Sequence, residues 1–405
     1  MPRLLKRLYA IAGVLTIAAL AGCVTPPAPK APPPPPAPVQ SHRTAATHPL
    51  TGEQPGFVRL SNTPQGHVPV RVGVLLPFSN GSAATRSLAK AMLNAAQLAM
   101  FDSRNPDILL MPEDEGSTPK EAAAAARNLL NEGAEVIVGP LFAPSAMAVA
   151  PLARDRGVPV ISFSTDRAVA GDGVYLLSFQ PEAEVMRVIS YAAAHGHSNI
   201  TAIAPQNAYG DRVASALKVD APVYHVTVRA VLRFAPNSSD FSQTAKVAAA
   251  SGADAILIAQ GGTQLVAIAA LLGSPHPQLL GTGLWAQKSL EHETALAGGW
   301  FAAPPPRADA NFDSRYRASF GVAPPQLAPL AYDAISLVSA LASGQPYHRF
   351  TDTALTDSDG FAGVTGIFRF RRDGSCERGL AILSVEPDGF HILDPAPKTF
   401  QPQAS

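Results

Sequence analysis

The chain has 405 residues, with 31 basic and 31 acidic side chains and a formal net charge of zero. This length exceeds one small core and predicts one large domain, or two lobes with appendages. Nucleic-acid binding requires a basic field that this balanced composition does not supply, so nucleic acid is excluded as a partner. The balance leaves small-molecule ligands open.

The N-terminal segment begins with three basic residues, Arg3, Lys6 and Arg7. The apolar run 8–20 that follows is too short to cross a hydrocarbon core of about 30 Å, and it fits the centre of a secretory signal. The run ends in Leu-Ala-Gly-Cys at 20–23, which resembles the lipobox of bacterial lipoproteins. That resemblance implies a signal peptide over 1–22 and a lipidated, membrane-anchoring Cys23. The alternative is an ordinary secreted protein with a chance cysteine.

A proline-rich stretch comes next. Residues 24–40 hold nine prolines, which favours extended polyproline II with a reach of roughly 50 Å. Residues 41–66 stay polar and rich in turns. We therefore predict a tether over 23–67 that holds the domain off a membrane, although recognition of the prolines by a partner is an alternative. With Cys23 lipidated, Cys376 has no partner for an intramolecular disulfide.

Strand and helix patterns alternate from Val68 onward. The first set of predicted strands is 70–76, 107–111, 135–138 and 158–163, and the helices between them centre on 88–98, 118–131 and 144–156. The segment Thr118-Pro119-Lys120-Glu121 is a capping box with proline at the first helical position. Alternation of this kind predicts a parallel sheet with helices on both faces.

The pattern restarts after a predicted helix at 181–195. The second set of predicted strands is 200–204, 226–234, 255–259 and 278–281, with helices at 209–217, 239–250 and 263–272. A helix at 329–342 is followed by strand patterns at 366–370, 379–385 and 389–393, which predict a small antiparallel addition. The sequence thus predicts two α/β lobes and a C-terminal appendage.

Four segments of the first set resemble the type I periplasmic-binding fold, the class of the leucine, isoleucine and valine binders. The four segments are VRVGVLLPFS at 70–79, PEDEGSTPKEA at 112–122, EVIVGPL at 135–141 and RGVPVISFSTD at 156–166. The resemblance implies two doubly wound α/β lobes around a cleft, within a domain at 68–398. We assign lobe 1 to about 68–182 and 303–345, and lobe 2 to about 183–302 and 360–398.

Two other segments are similar to the C-terminal domain of LpoA-type activators of penicillin-binding proteins. These are Gly210–Ala216 and Asp373–Leu380. Enteric members also carry an N-terminal helical-repeat domain, for which this sequence leaves no room before Val68. The resemblance implies an outer-membrane lipoprotein that binds and activates a bifunctional penicillin-binding protein, a peptidoglycan synthase.

The solute-binding resemblance implies ligand contacts at the carboxyl ends of strands. The matching positions are Ser79, Leu141, Ser145, Ser164 and Thr165 in lobe 1, and Tyr209, Gln260 and Trp285 in lobe 2. Hydroxyls beside a helix N-terminus suit a ligand carboxylate. An amino acid also needs an acid in lobe 2 for its ammonium, but the strand end there reads Ala-Gln-Gly-Gly at 259–262.

Motifs for catalysis, cofactors and metals are weak. Gly281–Ala286 matches a loose dinucleotide fingerprint but has no acid about 20 residues later for the ribose. Residues 291–293 read Glu-His-Glu. On a helix the successive side chains of such a segment would point about 100° apart, so they could not easily bind one metal ion together. The segment 357–360 lacks the later ligands of a calcium loop and predicts a turn. We therefore expect no enzyme activity, no cofactor and no metal.

Two functions remain open. The first is the outer-membrane regulator of peptidoglycan synthesis described above, favoured by the lipobox, the tether and the missing acid in lobe 2. Val24 follows the lipidated cysteine in place of the aspartate that favours inner-membrane retention in enteric sorting, although inner-membrane anchoring stays open. The alternative is a lipid-anchored substrate-binding protein of an ABC importer for amino acids or another small solute.

Overall fold

The computed structural model describes residues 56–63, 69–79, 81–273, 275–305 and 310–400. The predicted signal peptide, Cys23 and most of the predicted tether lie outside these residues. None of the described helices combines the length and apolar character needed to cross a bilayer.

Lobe 1 is built on a six-stranded sheet. Its strands are β1 (Val58–Arg59), β2 (Val70–Leu76), β3 (Ile108–Asp114), β4 (Val136–Val138), β5 (Val160–Ser162) and β6 (Val174–Leu176), in the spatial order β1-β3-β2-β4-β5-β6. β1 is antiparallel to β3 and the other neighbours are parallel. Every residue of β2 is buried, as expected for a parallel strand covered on both faces. β1 lies inside the predicted tether, so ordered chain begins before Val68.

Three helices connect these strands: α1 (Ala83–Ser103), α2 (Pro119–Asn131) and α3 (Ala143–Asp155). α2 begins as the sequence predicts, because Thr118 and Glu121 form the reciprocal capping box and Pro119 is the first helical residue. α1 begins at Ser82, whose side chain accepts a hydrogen bond from the backbone of Thr85. These helices cover both faces of the sheet.

Lobe 2 repeats the plan. Its elements are α4 (Pro181–Ala194), β7 (Asn199–Pro205), α5 (Ala208–Asp220), β8 (Thr227–Phe234), α6 (Ser242–Ala249), β9 (Ala255–Ile258), α7 (Gly262–Leu272), β10 (Gln278–Gly281) and β11 (Trp300–Ala303). Short 3-10 turns also occur, among them Gly283–Trp285 directly after β10. The strands from β7 to β11 pair with one another in parallel.

The chain then returns to lobe 1. α8 (Ala310–Phe320), α9 (Ala328–Leu341) and α10 (Asp352–Leu355) precede a three-stranded sheet of β12 (Phe361–Gly363), β13 (Gly366–Phe370) and β14 (Cys376–Arg378). Phe368, Phe370 and Cys376 pack into the same core as α1 and α9. This corrects the first part of the range 360–398, which we assigned to lobe 2: the strands β12 to β14 pack on lobe 1, since the core of lobe 1 buries the apolar face of β13.

Two final strands complete lobe 2. β15 (Ala381–Glu386) and β16 (Gly389–Asp394) extend its sheet to the order β16-β15-β11-β10-β9-β7-β8. β15 is antiparallel to both β11 and β16. The small antiparallel addition is thus divided: β12 to β14 belong to lobe 1, and β15 and β16 to lobe 2. The two α/β lobes match the predicted fold class.

Candidate functional site

The loops at the carboxyl ends of the parallel strands hold most of the predicted site residues. Ser79 follows β2, Leu141 follows β4, and Ser164 and Thr165 follow β5. Ser145 lies in the first turn of α3, and in lobe 2 Tyr209 begins α5, Gln260 follows β9 and Trp285 ends the turn after β10. Open α/β sheets bind their ligands outside this edge.

A carboxylate of the protein itself occupies the N-terminus of α3. Glu115 accepts hydrogen bonds from the backbone N–H groups of Leu141 at 2.8 Å and Phe142 at 3.1 Å, and the hydroxyl of Ser145 also bonds to it. Glu115 is fully buried. Burial raises its pKa, and these three hydrogen bonds oppose that rise. Leu141 and Ser145, both predicted to contact a ligand, bind Glu115 in this structure.

Ser79 is also paired with an acid. Its hydroxyl donates to Asp114, which accepts further hydrogen bonds from the backbone of Phe78 at 2.9 Å and Gly116 at 3.0 Å. Partial burial raises the pKa of Asp114, but the hydrogen bonds outweigh burial and the pKa lies below its usual value. The carboxyl end of β3 therefore carries an ionised carboxylate beside Ser79.

Ser164 and Thr165 differ in exposure. Ser164 is buried, and its hydroxyl accepts a hydrogen bond from the backbone of Asp166 at 3.1 Å. Thr165 is exposed, so its hydroxyl is accessible to a solute at the edge of lobe 1. Asp166, the next residue, is exposed as well. This loop offers hydroxyl groups together with a carboxylate.

Lobe 2 presents a buried polar cluster beneath the turn after β10. The hydroxyls of Tyr209 and Thr282 lie 2.7 Å apart, and Glu184 of α4 accepts a hydrogen bond from the backbone of Gly283 at 3.0 Å. Glu184 is fully enclosed, and burial raises its pKa to about 8. Its proton is therefore retained at neutral pH.

Gln260 and Trp285 have internal partners. The Gln260 amide donates to Gln264, and its oxygen accepts from the backbone of Gly261 at 3.1 Å. Trp285 is fully buried and donates its indole N–H to the carbonyl of Ile258 at 3.2 Å. Trp285 is part of the lobe 2 core, which corrects the expectation that it stacks on a ligand.

A chain of hydrogen bonds joins the lobes where the polypeptide first crosses between them. The Ser178 hydroxyl donates to the carbonyl of Ser164 at 2.9 Å and accepts from the Gln180 amide at 2.5 Å. Arg212 of α5 donates to Gln180 at 2.8 Å and forms an ion pair with Glu182 at 2.6 Å. The predicted site residue Ser164 is thereby connected to lobe 2.

A second buried network lies at the last crossing, and the sequence reasoning missed it. Arg378 donates to the Ser178 carbonyl at 3.2 Å and to the Thr365 hydroxyl at 2.7 Å, and Thr365 donates to Asp333. Burial raises the pKa of Asp333, and the Arg378 charge opposes this rise. A signal was available, because Asp333 is an acid inside the apolar helix α9.

A direct contact also closes part of the gap between the lobes. Gln326, just before α9, donates its side-chain amide to the carbonyl of Gly283 at 3.2 Å. The backbone of Gly283 thus binds Glu184 of lobe 2 through its N–H and Gln326 of lobe 1 through its carbonyl.

The rejected motifs have structural roles. Gly360 has a positive φ of 73° and closes a turn on Asp357, as the sequence predicts. Gly281 leaves room for the Trp285 ring, which a Cβ at that position would meet at 2.2 Å. In the described part of the chain, no group of three or more His, Cys, Asp or Glu side chains is placed to hold a metal ion.

Comparisons with known proteins agree with this architecture. Solved structures of similar fold include a protein from Rhodospirillum rubrum described as a branched-chain amino acid ABC transporter, at TM-score 0.72 and 18% identity, covering 80% of this chain and 100% of that one. A branched-chain amino acid periplasmic ligand-binding protein from Burkholderia xenovorans LB400 has TM-score 0.68 and 21% identity, covering 82% and 96%. LivJ from Streptococcus pneumoniae, solved with isoleucine, has TM-score 0.59 and 21% identity, covering 81% and 100%.

A curated relative is an uncharacterized protein of Rickettsia prowazekii. It is 21% identical over 149 residues, which span 37% of this chain and 39% of that protein. The family model described as periplasmic binding protein matches residues 69–389, a range that covers most of both lobes and includes strands of all three sheets. The chain belongs to the periplasmic binding protein family.

Proposed function

We propose that this chain is the solute receptor of an ABC importer, and that it takes a small solute between its two lobes. The construction of the two carboxyl edges carries the proposal. Thr165 places an exposed hydroxyl at the edge of lobe 1. Further hydroxyl and amide groups lie just behind the two edges, where internal hydrogen bonds hold them in place: Ser164 on lobe 1, and Tyr209, Thr282 and Gln260 on lobe 2. Groups of this kind orient a small polar ligand.

The structural neighbours support binding of a small solute. LivJ was solved with isoleucine, and a solute-binding protein from R. palustris was solved with 4-hydroxybenzoate. The polar connections at the crossings support a hinge, because Gln180 and Arg378 each contact Ser178 where the lobes meet. Rotation about a few such residues closes lobes on a ligand in hinged binding proteins.

The proposal includes a membrane anchor at the N-terminus. The lipobox-like segment ending at Cys23 and the proline-rich stretch after it support a lipidated protein whose domain faces the periplasm. Several acyl chains hold a protein at a membrane far more firmly than one. The extended tether would let the domain reach a transporter while it remains anchored.

Ligand-induced thermal stabilisation tests this function. The purified chain is screened with amino acids, aromatic acids, uncharged amides, polyols and amines, because a ligand that binds only the folded state raises the melting temperature. We expect at least one solute to raise it and Thr165→Ala to weaken that effect. The matched control is Thr227→Ala, an exposed threonine at the opposite, amino end of β8. No stabilisation by any solute would contradict the proposal.

A second candidate is activation of a bifunctional penicillin-binding protein by an outer-membrane lipoprotein. It is favoured by Gln260, which puts a neutral amide where an amino-acid receptor needs an acid. Residues of the two LpoA-like segments also make structural contacts in this fold. Arg212 of the first segment forms an ion pair with Glu182, and Gly374 of the second packs against Gly171. An activator should recover a peptidoglycan synthase from detergent-solubilised envelopes, and Thr165→Ala should not affect that recovery.

A further inference from the structure

We infer that the solute bound between the lobes carries no carboxylate and presents hydrogen-bond donors to lobe 1. This inference rests on the proposed function, since it names the class of solute for the same site. It follows from what already occupies the donors at the edge of lobe 1.

The N-terminus of α3 is the natural anion site of this edge, because helix N-termini offer unpaired N–H groups to negative charge. Glu115 occupies it, with the N–H groups of Leu141 and Phe142 at 2.8 and 3.1 Å and the Ser145 hydroxyl as donors. A ligand carboxylate placed here would compete with Glu115 for the same three donors. Two carboxylates that share such a site repel each other and cannot both stay ionised.

Two further carboxylates at this edge are acceptors of hydrogen bonds. Asp114 takes the Ser79 hydroxyl, and the exposed Asp166 follows Thr165 directly. The nearest cation in sequence, Arg167, forms an ion pair with Asp373 at 3.3 Å. These carboxylates therefore add acceptors and negative charge beside the exposed Thr165 hydroxyl, which disfavours a ligand carboxylate there.

Two arginines near the strand ends of lobe 2 are already paired with acids. Arg212 is engaged by Glu182 and Gln180, and Arg233 by Asp211 at 2.7 Å. A ligand with hydroxyl, amide or ammonium groups complements this arrangement, because each such group donates to an acceptor that lobe 1 already presents.

Chemical rescue tests the occupied anion site without any knowledge of the ligand. Glu115→Ala removes one methylene and the carboxylate, which together have the size of an acetate ion. We expect the melting temperature to fall by about 5 °C or more, because three buried donors lose their acceptor. Acetate should restore most of the loss, while chloride at equal ionic strength should not, and the wild-type chain should not respond to acetate.

The matched control is Glu121→Ala, which removes a glutamate from the exposed N-terminus of α2. We expect no rescue there, because water already reaches those donors. If Glu115→Ala does not fold, Glu115→Gln tests the same point. Its side-chain amide would place an N–H group against one of the donors that now bind a carboxylate oxygen, so the melting temperature should fall. A Glu115→Gln chain as stable as wild type would overturn the inference.

The solute class is tested on the wild-type chain by thermal shift. We expect isoleucine, benzoate and 4-hydroxybenzoate to give no shift, and a polyol, an amide or an amine to give one. A shift by any of the three carboxylates that disappears in Thr165→Ala would overturn the inference and leave the proposed function intact. If no solute of any class gives a shift while acetate still rescues Glu115→Ala, the proposed function fails and the occupied anion site stands.

Discussion

Replacement of Glu184 by glutamine should change how the stability of the protein depends on pH. Glu184 is fully buried, with a pKa raised from 4.5 to about 8, mainly by burial. Between these two values the folded chain keeps a proton that the unfolded chain releases. The stability contributed by the protonated form is therefore fully present below about pH 4.5 and is lost as the pH rises towards 8.

The magnitude follows from the shift. Each unit of pKa difference corresponds to about 1.4 kcal/mol, so the wild-type chain should lose on the order of 5 kcal/mol of unfolding free energy through Glu184 over this range. Glu184→Gln keeps an oxygen for the Gly283 N–H and cannot ionise. The two chains should be about equally stable near the acidic limit, and the variant should become the more stable one as the pH rises.

Urea unfolding followed by circular dichroism at a series of pH values measures this difference. Other buried acids, such as Asp333, contribute equally to both chains, so the difference between the two curves isolates Glu184. Glu182→Gln, two residues away, breaks the ion pair with Arg212 and removes a negative charge that helps to raise the Glu184 pKa, so it should reduce the Glu184 slope only in part, because burial is the larger cause. Parallel pH curves for wild type and Glu184→Gln would refute the reasoning.

Three further results are expected. Arg378→Met should lower the free energy of unfolding by about 3 kcal/mol in urea titrations, because it leaves the buried Asp333 without its cation; an unchanged value would contradict this. Gly139→Ala should lower the melting temperature severely, because a Cβ would lie 2.0 Å from the Leu75 carbonyl at a φ of 104°, whereas Gly173→Ala meets no atom within 4 Å and should cost much less. Cys23→Ser should abolish incorporation of radiolabelled palmitate, and label retained by that variant would rule out lipidation of Cys23.

Much of the fold can be predicted because it depends on local patterns. The apolar run at 70–76 coincides with β2, the run at 278–281 coincides with β10, and the capping box at Thr118 and Glu121 begins α2. Each of these signals lies within a few residues of chain, in hydrophobic runs and helix-capping side chains.

The missed elements depend on distant partners. β1 has only two residues in a polar segment, and it forms because β3 offers an edge. β13 has the alternation of a strand, but the pattern does not say which lobe buries it; the core around Phe368 and Phe370 decides that. The indole ring of Trp285 could stack on a ligand as far as the sequence shows. It is a core residue because its ring packs against Gly281, a contact that the sequence does not reveal.

The candidate site was predictable by location but not by chemistry. Strand ends identify Ser79, Leu141 and Thr165 from order along the chain. Which group binds Ser79 and Leu141 depends on Asp114 and Glu115. These two acids lie at the end of β3, and they reach Ser79 and Leu141 only because β3 and β4 lie on either side of β2. Glu113, Asp114 and Glu115 are consecutive acids at the end of β3, and the sequence does not indicate which of them binds the backbone of Leu141 at the start of a later helix.

Closure of the two lobes on a solute can be measured as a change in the distance between them by fluorescence energy transfer. Labels are attached to cysteines introduced at the exposed Met147 of lobe 1 and Val219 of lobe 2, in a chain carrying Cys23→Ser. The remaining Cys376 is buried, and burial raises its pKa to about 11, so it should not react. We expect a polyol, an amide or an amine to shorten this distance and isoleucine to leave it unchanged. A distance that no solute changes, or one that isoleucine shortens, would contradict this expectation.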